Sequence, residues 1–168
     1  EDVATPRGKG NKIAGNYRYE GQLIGYAALG HNSVTKFNGS YYVIYHRRSG
    51  IGTKINQNYF ACVNTLLFNE DAWPVMAPNN YLGEVFGRVN ESDIVGEYDL
   101  IIHTEQTIDD YVESDRYCLN ANYTMVKNGI KVGSWEFKEG LYLNIVIDGL
   151  EYKGCIIAQY VDYLKKNT

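Results

Sequence analysis

The sequence predicts an all-β chain, and three observations carry that prediction. Its aromatic content sits mostly in tyrosine, with 16 Tyr against 5 Phe and 2 Trp, accompanied by 17 Gly and only 3 Pro. Strands favour aromatic and β-branched side chains, whereas helical bundles are built on Ala, Leu, Glu and Lys. Turn dipeptides recur at Asn128-Gly129, Glu139-Gly140 and Asp148-Gly149, the spacing of a meander of short strands. Leu141, Leu143, Ile145 and Ile147 alternate with Tyr142, Asn144, Val146 and Asp148, the period of a half-buried strand. A length of 168 residues suits one ordinary domain or two small ones.

The elements follow in chain order. Residues 1–11 are polar and carry Pro6, Gly8 and Gly10, which marks an entry arm. Gly25 to Val34 reads as a glycine-hinged loop leading into a strand. Thr35 to His46 reads as a hairpin around Asn38-Gly39, a pair that supplies the two positive φ angles of a type I′ turn. Its second strand, Tyr41-Tyr42-Val43-Ile44-Tyr45, is apolar or aromatic at every position, the pattern of a strand covered on both faces. Tyr59–Phe68 is the next strand, Asn69–Ala72 its turn, and Trp73–Met76 a short return. Residues 79–95, with Gly83, Gly87 and several charges, read as a linker, so the boundary falls between segments 1–82 and 83–168. Strands resume at Gly96–His103 and continue through the meander to Cys155-Ile156-Ile157-Ala158. The charged end, Asp162 to Thr168, predicts a missing final hairpin or a disordered tail.

Charge and composition exclude several functions. Lys plus Arg total 16 and Asp plus Glu 20, a net charge of -4. The longest basic clusters, Arg47-Arg48 and Lys165-Lys166, do not make the basic face that nucleic acid requires. No apolar run approaches the roughly 18 residues of a helical membrane span. Cys62, Cys118 and Cys155 are odd in number and widely spaced, so no disulfide framework or zinc knuckle is expected, although a Cys118–Cys155 bridge stays open. Phosphate-loop, nucleophile-elbow and metalloprotease motifs are all missing. The acids fall in turns or at polar positions, and no motif fixes a catalytic pair. Of the histidines, His46 and His103 sit inside strand patterns and read as packed, whereas His31 follows Gly30 and precedes Asn32-Ser33 at a strand mouth.

Three motifs in order then carry a resemblance. Gly30-His31-Asn32-Ser33-Val34 is followed by Tyr41-Tyr42-Val43-Ile44-Tyr45-His46-Arg47-Arg48, and then by Leu67-Phe68-Asn69-Glu70-Asp71-Ala72-Trp73-Pro74-Val75-Met76-Ala77-Pro78. Together they resemble the closing part of the α-1,5-L-arabinanases of glycoside hydrolase family 43. Residues from Gly83-Glu84 onward resemble the small C-terminal β-domain of two-domain members, through Val95-Gly96-Glu97-Tyr98, Gly133-Ser134-Trp135-Glu136 and Tyr152-Lys153-Gly154. The resemblance implies the last blade segment of a five-bladed β-propeller over 1–82 and an accessory β-barrel or sandwich over 83–168. It also implies an inverting hydrolase of arabinan or arabino-oligosaccharides, secreted or periplasmic, although Glu1-Asp2 is not a leader pattern.

The catalytic acids of that family belong to earlier blades, so no catalytic residue is expected in this chain. The remaining blades would be a partner, as preceding sequence or as a separate chain. His31 matches the family histidine beside a central ion, which implies calcium or another hard cation such as sodium. Arg48 matches the Arg of the H-x-R motif, and Asn32, Ser33 and Tyr26 join it as pocket residues. Leu29 stands where the family commonly has Pro, and Ala72 where it has Gly; both touch loop shape. The alternative is a stand-alone carbohydrate-binding β-module without hydrolytic activity, with tyrosines as its stacking platforms.

Overall fold

The computed structural model describes residues 11–51, 54–106, 108–161 and 166–167. The entry arm, save Asn11, lies outside them, as does most of the charged end. All regular structure among them is β, apart from one 3-10 turn at Glu91–Asp93. The strands are β1 (Tyr17–Arg18), β2 (Ile24–Phe37), β3 (Ser40–Ile51), β4 (Lys54–Phe68), β5 (Pro74–Met76), β6 (Gly96–Leu100), β7 (Val112–Glu113), β8 (Asp115–Leu119), β9 (Thr124–Lys127), β10 (Ile130–Lys138), β11 (Tyr142–Ile147), β12 (Leu150–Cys155), β13 (Tyr160–Val161) and β14 (Lys166–Asn167). They build two compact units. One holds the chain up to Val63 together with Asp99–Asp115, and the other holds Asn64–Tyr98 and everything from Arg116. Each unit is therefore assembled from separated segments, whereas the expected boundary at 82/83 was drawn along the chain.

In the first unit the long β2–β3 hairpin is the scaffold. Asn38 and Gly39 have φ of 49° and 84°, so the type I′ turn forms as its dipeptide dictates. On β2, the stretch read as a loop is continuous strand instead. The ladder to β3 absorbs the extra residues through register shifts between Ala27 and Gly30 and between Gly30 and Ser33, which are β-bulges. Strand β1 pairs antiparallel with β2 and parallel with β7. Such a short strand needs side-chain support, and Asn16 supplies it: Nδ2 donates to the Ile108 and Asp110 carbonyls at 3.0 and 3.2 Å, while Oδ1 accepts from the Ala28 amide at 3.0 Å. Gly25 faces the Tyr111 ring so closely that a Cβ would sit 2.6 Å from it. Strand β3 is covered only in part on each of its faces. Tyr42, Val43 and Tyr45 are buried, but Tyr41 and Ile44 are exposed, because the hairpin projects and His31–Gly39 on its β2 side is exposed throughout.

In the second unit a curled antiparallel sheet runs in the order β12-β11-β10-β9-β8-β6, a half-barrel. Its hairpin corners, Asn128-Gly129, Glu139-Gly140 and Asp148-Gly149, all take positive φ at both positions, which is the turn chemistry read from the sequence. Ile94, Met125, Leu119, Trp135 and Ile147 form its buried core. Trp135 meets its polar requirement by donating Nε1–H to the Asn120 carbonyl at 3.0 Å. On β11 the expected alternation is broken: Asn144 is buried while Leu143 and Ile145 are only half-buried. The reason is a polar partner, since Asn144 Nδ2 donates to Glu70 Oε1 at 2.7 Å. The last meander strand ends at Cys155, so Ile156–Ala158 are not strand. A short hairpin of β13 with β14 follows. All three cysteines are free, so the Cys118–Cys155 bridge does not form.

Candidate functional site

The candidate site lies on β2, β3 and β4 of the first unit. His31 sits inside the bulged part of β2 with φ of 48°, three residues after Ala28 at φ 53°. These are left-handed angles that non-glycine side chains avoid. The imidazole is exposed, and its Nδ1 lies 3.5 Å from Nε2 of His46 on β3. The two rings are tilted at 42° with centroids 4.7 Å apart. His46 also takes the edge of the Tyr59 ring, on β4, at 4.4 Å. Arg48, two residues further along β3 and on the same face, lays its guanidinium over that ring at 4.2 Å and hydrogen-bonds the Tyr59 hydroxyl. Its Nε is buried without a partner. His31, His46, Tyr59 and Arg48 thus form one contiguous cluster.

Asn32 and Ser33 stand exposed next to His31. Tyr26 does not join them. It pairs with Ser49, whereas Ala27 pairs with Arg48, and directly opposed residues share a face. Tyr26 therefore lies on the face opposite to His46 and Arg48. There the Arg47 guanidinium covers its ring at 3.8 Å, and Tyr17 packs beside it at 5.2 Å. Around Arg47 this second face is aromatic and buried. Burial pushes the Tyr45 phenol up to about 12 and raises Cys62 above the usual thiol range, although Arg47 opposes both shifts. His103 is remote from the cluster in its contacts: it packs at Gly15 beside Lys12, and burial followed by the Lys12 charge pulls its pKa below the ordinary imidazole value.

Sequence reasoning named His31 and Arg48, which the structure brings into one cluster, but read His46 as core and did not single out Tyr59. The signal for His46 was its place in the H-x-R motif. Only the bulges, which sequence did not reveal, bring it to His31. No carboxylate enters the cluster's contacts described above, and no three His, Cys, Asp or Glu side chains are grouped to hold a metal among the described residues. A hard cation wants oxygen donors, so what these residues offer a calcium-type ion is a single imidazole, with the remaining ligands from water or from elsewhere.

Comparison with known proteins assigns the chain. Residues 78–168 match GH43_C, a family described as a C-terminal lipocalin-like domain. The chain belongs to this glycoside hydrolase family 43 group. It is 32% identical to an extracellular endo-α-(1→5)-L-arabinanase 2 from Bacillus subtilis, over 95% of this chain and 34% of that protein. It is also 32% identical to an extracellular endo-α-(1→5)-L-arabinanase from Thermotoga petrophila, over 90% of this chain and 33% of that one. Among solved structures, a family 43 glycoside hydrolase from Bacillus licheniformis superposes with a TM-score of 0.84 at 31% identity, covering 94% of this chain and 35% of that one. The crystal structure of the Thermotoga petrophila endo-1,5-α-L-arabinanase gives 0.82 at 32%, with 94% and 36% covered. The chain is homologous to the C-terminal part of such enzymes and spans about a third of the length of these relatives. No helix among the described residues is long and apolar enough to cross a membrane.

Proposed function

We propose that this chain is the C-terminal part of a secreted endo-α-1,5-L-arabinanase of the inverting type, acting on arabinan or arabino-oligosaccharides through carboxylates that lie outside it. The observation that carries the reading is the match to arabinanases along nearly the whole chain, at 31–32% identity and TM-scores above 0.8, rather than over the lipocalin-like domain alone. In this reading segment 1–82 contributes the last blade region of a β-propeller, and segment 83–168 braces it. The propeller's other blades are the partner of the exposed hairpin residues Val34, Phe37 and Ile44. His31 faces an ion of the calcium or sodium kind beside the active site, Arg48 lines the pocket or holds a catalytic acid, and Asn32 and Ser33 support them. Tyr26 shapes the wall indirectly, by fixing Arg47 on the opposite face. No catalytic residue is assigned within this chain. The test is incubation of the purified 168-residue chain with linear arabinan. No release of arabino-oligosaccharide is expected, while a longer protein carrying this segment should release them. Hydrolysis by the chain alone would place the catalytic acids inside it and overturn the assignment.

A further inference from the structure

We infer that Tyr123, anchored by Glu91 and seated on Trp135, is a stacking platform on the second unit for an uncharged saccharide. The ligand class, an arabinofuranosyl chain, rests on the arabinanase reading, while the platform rests on the geometry. Tyr123 closes the turn between β8 and β9: its amide donates to the Asn120 carbonyl at 2.9 Å, and the Asn120 amide donates to the Thr124 carbonyl at 2.9 Å. It does so with φ of 63°. The turn requires a left-handed residue; it does not require a tyrosine. At the hairpin corners Asn38, Asn128 and Asp148 fill the same region with residue types that tolerate it. A bulky side chain there is an outlier, and such outliers point to a use.

The side chain is also held in advance. Its ring lies against Trp135, with centroids 5.0 Å apart and planes tilted at 53°. Trp135 is buried and fixed in turn by its Nε1–H bond to the Asn120 carbonyl. The Tyr123 hydroxyl donates to Glu91 Oε1 at 2.6 Å. Pinned at both places, Tyr123 is still 48% exposed. A rigid ring with an open face loses little freedom when a ligand settles on it. The surroundings select the ligand. Asn122 precedes Tyr123, Asn90 and Ser92 flank Glu91, and all four of these polar residues are exposed. A protein partner would want a contiguous apolar patch, which they interrupt. Glu91 and Asp93 make the 3-10 turn acidic, and its last turn holds no basic residue, which disfavours a polyanion. What fits is an uncharged ring with a C–H face for the phenol and rim hydroxyls for the amides and the carboxylate.

The experiment uses the 168-residue chain, which is not expected to cleave arabinan, so binding is read without turnover. Arabinohexaose is titrated by calorimetry, and linear arabinan or polygalacturonate is cast into native gels. Saturable binding of arabinohexaose and retardation by arabinan are expected, with polygalacturonate silent. Tyr123→Asn removes the ring but keeps a residue type that tolerates the left-handed turn, and should bind at least about tenfold more weakly. Tyr123→Phe keeps the ring without its anchor and should fall between the two. Trp73→Ala removes a second exposed aromatic of the same unit and should bind as the parent does. Thermal unfolding checks each variant, and if Tyr123→Asn does not fold, the drop in Tyr123→Phe carries the test. Parental affinity in the folded Tyr123 variants, loss of binding in Trp73→Ala alone, tighter binding of polygalacturonate, or no binding of arabinan by the parent chain would each overturn the inference. Cleavage of arabinan by the longer protein is a separate readout: cleavage there, with no binding by this chain, sinks the platform and leaves the arabinanase reading standing.

Discussion

Replacing Ala72 by glycine should stabilise the second unit. Ala72 has φ of 59°, and its side chain is exposed, so deleting the methyl removes no packing. The turn holds it there firmly. Asn69 Oδ1 accepts from the Asp71 and Trp73 amides at 3.1 and 2.9 Å. The Ala72 amide donates to the Asn69 carbonyl at 2.9 Å, and the Asn69 amide donates to Trp73 at 2.9 Å. The left-handed region costs an L-residue about 1–2 kcal/mol, which glycine avoids. Against that, glycine loses about 0.5–1 kcal/mol more chain entropy on folding than alanine does. The balance for Ala72→Gly is a gain of roughly 0.5–1 kcal/mol, or about 1–4 °C in Tm for a chain of this size. Both tryptophans, Trp73 and Trp135, belong to the unit that contains the turn. Urea unfolding followed by tryptophan fluorescence therefore reads the right structure. A β-branched residue should move the midpoint the other way, so Ala72→Val is the opposing arm. A lower midpoint for Ala72→Gly than for the parent, at unchanged m-value, would refute the reasoning.

Three more outcomes follow from the same structure. The Glu70 carboxyl is held below the usual carboxylate range, first by the Asn144 hydrogen bond and then by Lys153 and Lys138. A folded-state pKa below the unfolded value contributes stability above about pH 4.3, which is lost as pH falls through the folded value. Glu70→Gln should therefore flatten the acid limb of a urea-midpoint profile between about pH 6 and pH 3, and an unchanged limb would deny the Asn144 role. At Gly133 an added Cβ would meet the Val146 carbonyl oxygen at 1.8 Å, whereas at Gly25 it would meet the Tyr111 ring at 2.6 Å. Overpacking costs about 1–3 kcal/mol or more, and a backbone oxygen cannot rotate away, so Gly133→Ala should lower the urea midpoint further than Gly25→Ala. Trp135→Phe removes one of the two donors to the Asn120 carbonyl, which keeps the Tyr123 amide at 2.9 Å, and shrinks a core side chain, which should cost roughly 1–3 kcal/mol by thermal unfolding.

The parts of the fold written in local chemistry were legible. Asn38-Gly39, Asn128-Gly129, Glu139-Gly140 and Asp148-Gly149 each specify their corner within two residues, and each corner formed. Residues whose environment depends on a distant partner were not. Asn144 looks solvent-facing until Glu70, from a turn 74 residues away, gives it a reason to be buried. His46 looks like core until two bulges in β2 deliver His31 to it. Tyr26 looks adjacent to His31 along the chain, but strand parity puts it on the other face, against Arg47. A bulge changes which residues share a face, and nothing in the residue types of 25–34 states how many bulges occur.

The distribution of left-handed residues points back to the same place. Asn38, Asn128, Glu139 and Asp148 take positive φ immediately before a glycine at a hairpin corner, and Ala72 takes it inside a four-residue turn. In all five the ladder closes because of that conformation, so the pairing of the flanking strands offsets the cost. Ala28 and His31 are different, because both lie inside β2 and interrupt its ladder instead of closing one. A straight strand without bulges would avoid both strained residues and keep two more rungs, so fold stability alone does not account for them. What the bulges achieve is local: His31 is turned onto the face of His46, with Tyr59 and Arg48 behind it. Strain retained where it presents one exposed imidazole to another is strain that serves the site. Deleting Asn32, which removes the bulge between Gly30 and Ser33 and sets His31 opposite Tyr45, should raise stability or leave it unchanged while separating the two imidazoles. Proton NMR contacts between the two imidazoles and the urea midpoint, measured on the same variant, separate these two consequences.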